Sequence, residues 1–178
     1  MKTETIMWLF PVFFMLHEFE EIIFLPGWLK QNIDEMAGKY PRPLGRLRPH
    51  FEAMSSAGFA LAVAEEFIIL SVLTFISVEY AFHSLFAALL LAYLLHVIIH
   101  CIQSLAIRRY VPAVATGILS GFYAVYALHR LNVFSSPDLV FIITITPAIL
   151  ALMTANLLIM HRVMARFEKW KRAGGIRD

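Results

Sequence analysis

The sequence has little charge and almost no cysteine. Only 16% of its 178 residues are Asp, Glu, Lys or Arg, whereas 60% are hydrophobic. A soluble domain carries about a quarter charged residues, so the composition excludes that class. The single cysteine, Cys101, excludes an internal disulfide and a cysteine-ligated zinc site. A net charge of +2 gives no nucleic-acid signal, so no nucleic-acid partner is expected.

The apolar runs that remain predict an integral membrane protein. Each run nears or exceeds the ~20 residues that a bilayer core requires. The fold class is therefore an all-α, polytopic membrane helix bundle, with residues 1–178 forming one domain. The pair Pro26–Gly27 predicts the end of the first span, and residues 28–50 are predicted to lie along the interface. The five predicted transmembrane helices cover approximately residues 5–26, 51–78, 82–107, 112–131 and 137–162.

The positive charges predict how the chain is oriented. With five spans, thirteen of the 15 Lys and Arg residues lie on one side of the membrane. Because positive loops stay in the cytoplasm, the N-terminus is predicted outside and the C-terminus in the cytoplasm.

Three of the predicted spans carry ionisable residues at a similar depth. The first contains the string His17-Glu18-Phe19-Glu20-Glu21, the second contains Glu65–Glu66, and the third contains His96 and His100. At a rise of ~1.5 Å per residue, all three spans bring ionisable groups close to the middle of the bilayer. This agreement argues for one shared site.

The spacing of these residues points to metal binding. His17, Glu20 and Glu21 fall within an arc of about 100° on their helix. His96 and His100 are four residues apart, as in helical pairs that grip one metal ion. Neighbours on a helix differ by about 100°, which leaves open whether Glu65 or Glu66 faces the site. The predicted metal ligands are His17, Glu20, Glu21, Glu65, Glu66, His96 and His100.

Carboxylates this close together repel one another and require cations or protons. No lysine or arginine lies at this depth, so one or two divalent ions are the simplest counter-charge. Nitrogen and oxygen ligands without thiolate suit iron, zinc or manganese. Glutamate with a histidine three or four positions away is also the pattern of di-metal carboxylate sites in helix bundles. The expected cofactor is therefore two divalent metal ions.

These features favour a membrane metalloenzyme acting on a lipid or another hydrophobic small molecule. With iron it would oxidise or hydroxylate its substrate, an alternative slightly preferred over hydrolysis with zinc. The predicted catalytic residues are Glu18 and Glu66, because a glutamate that is not a ligand is free to act as general base. Glu18 lies at the edge of the arc and is alternatively a group that orients a histidine.

Two other functions use the same residues. A divalent-metal or proton-coupled transporter also places carboxylates and histidines in mid-membrane. It ranks second, because the outer halves of the first and third spans, Ile6–Leu16 and Leu85–Leu95, are nearly all apolar. The third hypothesis is a structural membrane subunit, in which these ionisable residues only fix which helices pair.

The fourth span carries small residues four apart. Ala113, Gly117 and Gly121 allow close approach of another membrane helix. The span is expected to contribute packing or a homodimer face, and no metal ligand.

Taken in order, these residues resemble the HXXEE-motif family of small bacterial membrane proteins. The resemblance rests on His17-x-x-Glu20-Glu21, Glu65–Glu66, the His96/His100 pair and the connection Arg109-Tyr110-Val111-Pro112. It implies a multi-pass protein of the bacterial inner (cytoplasmic) membrane, with membrane lipids around it. It also implies enzymatic activity, but no particular reaction or substrate.

Overall fold

The computed structural model describes residues 1–41, 48, 51 and 54–175. These residues form helices joined by short turns, with no strand among them, so the predicted all-α class is confirmed. A short π-helical turn, Lys171–Gly175, follows the last helix. The helices are α1 (Thr3–Trp8), α2 (Phe10–Lys39), α3 (Ser56–Glu79), α4 (His83–Ile107), α5 (Val114–Ser135) and α6 (Leu139–Trp170).

Three of the helices, α3, α4 and α6, are long and apolar enough to cross a membrane. Three glutamates interrupt the apolar run of α2. Neither α2 nor α5 is among the described helices that are long and apolar enough to cross a membrane. The chain therefore has the character of a membrane protein.

The first predicted span is not one uninterrupted helix. The helix is interrupted at Leu9, between α1 and α2. Pro11 lies in the first turn of α2 and has no N–H to donate to the carbonyl of Met7. A proline is tolerated at the start of a helix for this reason, so the break precedes it.

The helix does not end at Pro26–Gly27, the pair that predicts the end of the first span. Helix α2 continues through Pro26 as far as Lys39, so residues 28–39 of the predicted interfacial loop are helical. Buried residues continue along one face beyond the proline, and this packing offsets the backbone hydrogen bond that Pro26 removes. The buried residues of that face are Leu29, Ile33 and Met36. The rest of the loop prediction, at residues 42–47 and 49–50, and residues 52–53 of the second predicted span lie outside the described part.

The helices pack so that α2 and α4 face each other across the interior. Helix α2 packs against α3 and α5, whereas α4 packs against α5 and α6, and α3 packs against α6. Polar side chains of α2 and α4 fill the space between these two helices.

An aromatic layer fills the bundle beside these polar residues, on the side of α1. Phe10 contacts Phe86 and Tyr93 edge-on, at ring-centroid distances of 5.6 and 5.3 Å. Phe13 stacks on Tyr123 at 4.2 Å, and the Tyr123 hydroxyl donates to the carbonyl of Ile6 at 2.7 Å. Phe10, Phe86, Tyr93 and Tyr123 are all buried. This layer closes the interior on the predicted outer side.

Candidate metal centre

Four side chains from two helices converge between α2 and α4. Helix α2 contributes His17 and Glu21, and α4 contributes His96 and His100. Within each helix the two residues are four apart, so they lie one above the other on a single face. One ligand atom from each of the four lies within 4.8 Å of the others. We call this set the four-ligand group.

The distances within the four-ligand group suit a single metal ion. Nε2 of His100 lies 3.1 Å from Nε2 of His96 and 3.2 Å from Oε1 of Glu21. Nε2 of His17 lies 3.8 Å from the same Glu21 oxygen. Two ligands bound 2.0–2.1 Å from a tetrahedral ion are about 3.3 Å apart. The side chains are thus nearly in position to coordinate one ion.

The group contains buried polar atoms that lack partners. His17 is completely buried and Glu21 is 6% exposed. In the described part of the chain, neither ring nitrogen of His17 has a hydrogen-bond partner, and the same holds for Oε1 of Glu21 and Nδ1 of His100. An unsatisfied buried polar atom costs about 1–3 kcal/mol. A cation bound by the four residues would satisfy His17 and Glu21 together, so the group fits a metal.

The structure separates Glu65 from Glu66. The carboxylate of Glu65 accepts a hydrogen bond from the amide of Asn156 on α6, at 2.9 Å. Glu66 instead lies within electrostatic range of Glu18 and Glu21. The sequence leaves open which of the two glutamates faces the site, and these contacts favour Glu66. The prediction of Glu65 as a ligand does not fit its position. Asn156 is hydrogen-bonded to Glu65 because the two residues meet where α3 packs against α6.

Glu18 is enclosed close to the four-ligand group. It is 4% exposed, and Glu21, Glu66 and Tyr93 are its electrostatic neighbours. No lysine or arginine occurs in residues 3–29 or 49–107, which contain all these carboxylates. Glu18, Glu21 and Glu66 thus form a patch of neighbouring carboxyl groups next to the histidines.

Glu20 has a different role from the one predicted. Its carboxylate accepts hydrogen bonds from the hydroxyls of Tyr110 and Thr116, and from the backbone N–H of Thr116 at 2.9 Å. Thr116 lies in the first turn of α5, where backbone N–H groups have no partner within the helix and the dipole is positive. The prediction of Glu20 as a metal ligand is therefore corrected: it holds the start of α5 against α2. Partial burial and the hydrogen bond to Glu20 raise the pKa of Tyr110, so its phenol stays a donor.

Replacing Glu20 by alanine is expected to weaken metal binding about tenfold, the effect typical of a residue that positions a ligand. The variant removes three hydrogen bonds beside Ala113, whose φ of +93° is strained for a non-glycine residue. Glu20→Gln keeps an acceptor oxygen and should lose less. Competition with a chromophoric chelator measures the affinity, and an unchanged affinity in Glu20→Ala would contradict this positioning role.

Gly117 is the residue that brings α5 close to the site. A Cβ at this position would lie 3.3 Å from Cε1 and 3.4 Å from Nδ1 of His17. The sequence pattern marks Gly117 only as a packing residue, because nothing in the sequence reveals which helix it meets.

The small-residue face of α5 points into the bundle. Ala113 and Ala124 are fully buried, and Gly121 packs near Val97 of α4. The expected packing role of this face is therefore what the structure shows. Dimerisation stays a prediction, but the face suggested for it is already occupied within the chain.

Comparison with known proteins identifies a family for this chain. Searches of curated proteins and of solved structures found no match. A family profile described as "Protein of unknown function with HXXEE motif" matches residues 8–128. This region contains the motif His17–Glu21, the remaining members of the four-ligand group, Glu66 and Gly117, and it leaves out α6. The match covers well over half of the sequence, and we conclude that the chain belongs to the HXXEE-motif family.

Proposed function

We propose that the protein is a membrane metalloenzyme whose metal centre is the four-ligand group. The observation that carries this proposal is the convergence of three histidines and one glutamate within 4.8 Å. Both ring nitrogens of His17 and Nδ1 of His100 are buried without a hydrogen-bond partner among the described residues, which argues against a network that serves only packing.

Iron suits this ligand set better than zinc. Four protein ligands fill the tetrahedral shell of zinc, whereas catalytic zinc sites keep one position open. An iron or manganese ion with six positions would keep two of them free for substrate or oxygen. When bound, iron supplies oxidation chemistry for an apolar substrate, whereas zinc would supply hydrolysis.

The neighbouring carboxylates support a second ion. Glu18, Glu21 and Glu66 are close enough to interact electrostatically, and such a cluster of carboxyl groups holds protons or binds a further cation. Glu21 has two oxygens and can serve both ions. In this arrangement Glu66 would hold the second ion, and Glu18 would be placed to accept or donate a proton. The substrate is a lipid or a similarly hydrophobic molecule, because the site lies among helices of membrane character.

Replacing Glu66 by glutamine tests the second ion. The Glu66→Gln variant is expected to hold one metal ion per chain instead of two, because a neutral amide no longer stabilises the second cation. The matched control is Glu65→Gln, whose amide oxygen can still accept from Asn156. Elemental analysis of the purified proteins measures the metal content. Equal content in both variants would exclude Glu66 as a ligand, and no metal in the parent protein would overturn the proposed centre.

The proposal includes five transmembrane helices, with the N-terminus outside and the C-terminus in the cytoplasm of a bacterial inner membrane. Two variants test this topology. Each carries Cys101→Ser and one new cysteine, either Lys2→Cys or Arg109→Cys. A membrane-impermeant maleimide added to intact cells is expected to label the cysteine at position 2 but not the one at position 109, which should react only after lysis. The reverse pattern would contradict the orientation, and labelling of both would contradict the number of spans.

Transport of metal or protons remains the second candidate, favoured by polar residues on one side of the centre. Arg109 pairs there with Glu35 at 2.9 Å and donates to Asn32 at 2.9 Å. On the other side, the hydroxyls of Tyr93 and Tyr123 in the aromatic layer already donate to Ser120 and to the carbonyl of Ile6, so an enzyme is the better-supported function.

A further inference from the structure

The end of α6 extends past the length that a membrane requires. The helix has 32 residues and is therefore about 48 Å long, whereas the apolar core of a bilayer is about 30 Å thick. Its apolar surface is exposed as far as Leu157, Leu158 and Ile159. All the Asp, Glu, Lys and Arg residues of α6 lie beyond this point: Arg162, Arg166, Glu168 and Lys169. The helix thus passes from an apolar to a charged segment within one turn.

The three cations of this segment lie on one face of the helix. The spacing of Arg162, Arg166 and Lys169 places them within an arc of about 60°. All three side chains are exposed. In the part of the chain that the structure describes, no hydrogen bond or ion pair involves any of them. We call this face the cationic stripe, and its positive charge is not neutralised by the residues described.

A different face of α6 makes the contacts with the bundle. Met160 and Met164 are buried there, and the carboxylate of Glu168 accepts a hydrogen bond from the Ser55 hydroxyl at the start of α3. A Cβ at Gly58 would lie 3.1 Å from that carboxylate and 3.8 Å from Cβ of Met164, so α3 and α6 meet closely at this point. The one acid of α6 is therefore engaged with α3, and the cationic stripe points away from the bundle.

We propose that the cationic stripe binds the phosphate of an anionic phospholipid whose acyl chains lie along α6. Arg162 and Arg166 are about one turn, ~5.4 Å, apart, so both can contact one phosphate. Leu158 and Ile159 are exposed directly before them and offer an apolar surface to the acyl chains. Trp170, which is 52% exposed, lies at the same end of the helix, as is typical of a membrane–water interface. The inference goes beyond the proposed function, because none of these residues belongs to the metal centre.

Quenching of Trp170 fluorescence by brominated lipids tests the proposal on the full-length protein. Trp8→Phe and Trp28→Phe leave Trp170 as the only tryptophan of the chain, and this parent protein is reconstituted in phosphatidylcholine bilayers. The probes are phosphatidylglycerol and phosphatidylcholine with brominated acyl chains. Phosphatidylglycerol is expected to bind beside Trp170 about 25-fold more tightly, because each of two cations at an anionic headgroup contributes about fivefold.

Arg162→Gln combined with Arg166→Gln should remove most of this preference while the helical circular dichroism is retained. The matched control, Lys30→Gln combined with Arg108→Gln, removes the same charge from exposed positions outside α6 and should keep the preference. Equal quenching by the two lipids in the parent protein would overturn the proposal. A preference that survives in the Arg162/Arg166 variant, or that falls equally in both variants, would also overturn it, since the attraction would then come from the positive charge of the protein as a whole.

Discussion

Replacing His100 by alanine is expected to lower the affinity for iron or zinc by more than about 100-fold, beyond the loss seen for residues that only support a ligand. His100 is central to the four-ligand group, because its Nε2 lies 3.1 Å from His96 and 3.2 Å from Glu21. Its loss leaves one histidine of α4 and removes the pair that holds an ion from that side. Chelator competition and elemental analysis of the purified variant measure the effect.

The matched control is His129→Ala, at an exposed histidine of α5 outside the four-ligand group. It should bind metal as the parent protein does, and both variants should retain their helical circular dichroism. Metal binding by a folded His100→Ala variant at the parental affinity would show that the ion lies elsewhere or that the histidines only pack.

Replacing Gly117 by a larger residue is expected to weaken metal binding, by about tenfold for alanine and by more for valine. A Cβ at this position lies 3.3 Å from Cε1 of His17, a contact tighter than most side chains accept, so the imidazole must move. Since His17 is completely buried, it has little space into which to move. Affinity and melting temperature are measured on the same samples.

Gly121 is the natural comparison, one turn further along α5. A Cβ there would meet Val97 and Leu94 at 3.7 and 3.8 Å, which is ordinary van der Waals contact. Gly121→Ala should therefore leave metal affinity unchanged and raise helix stability slightly, because alanine is a better helix former than glycine. Equal losses of affinity at both positions would indicate a general loosening of the bundle and contradict a specific contact with His17.

Much of the candidate site follows from the sequence because helical periodicity is regular. Residues four apart share a face, so the geometry of a single helix already pairs His17 with Glu21 and His96 with His100. Ionisable groups in an apolar environment are costly unless they have partners, so the pair on the first helix is expected to meet the pair on the other. The structure brings these four together. The HXXEE family, predicted from the first-helix motif and the residues that accompany it, is confirmed.

Other features depend on which helices become neighbours. Glu65 and Glu66 are equivalent in the sequence, but α3 packs against α6 on one side and faces α2 on another, so one glutamate meets Asn156 and the other meets Glu18 and Glu21. The continuation of α2 beyond Pro26 likewise depends on the burial of Leu29, Ile33 and Met36, which a local breaker signal does not reveal.

The sequence by itself determined the helical class, the membrane character and the set of candidate ligands to which the four-ligand group belongs, because each depends on composition or on the fixed geometry of a single helix. Only the tertiary structure decided that Glu20 holds the start of α5, that Gly117 meets His17 and that Glu66 is the glutamate facing the carboxylate patch. These assignments depend on the rotation and closest approach of helices far apart in the chain, and local periodicity carries no information about either.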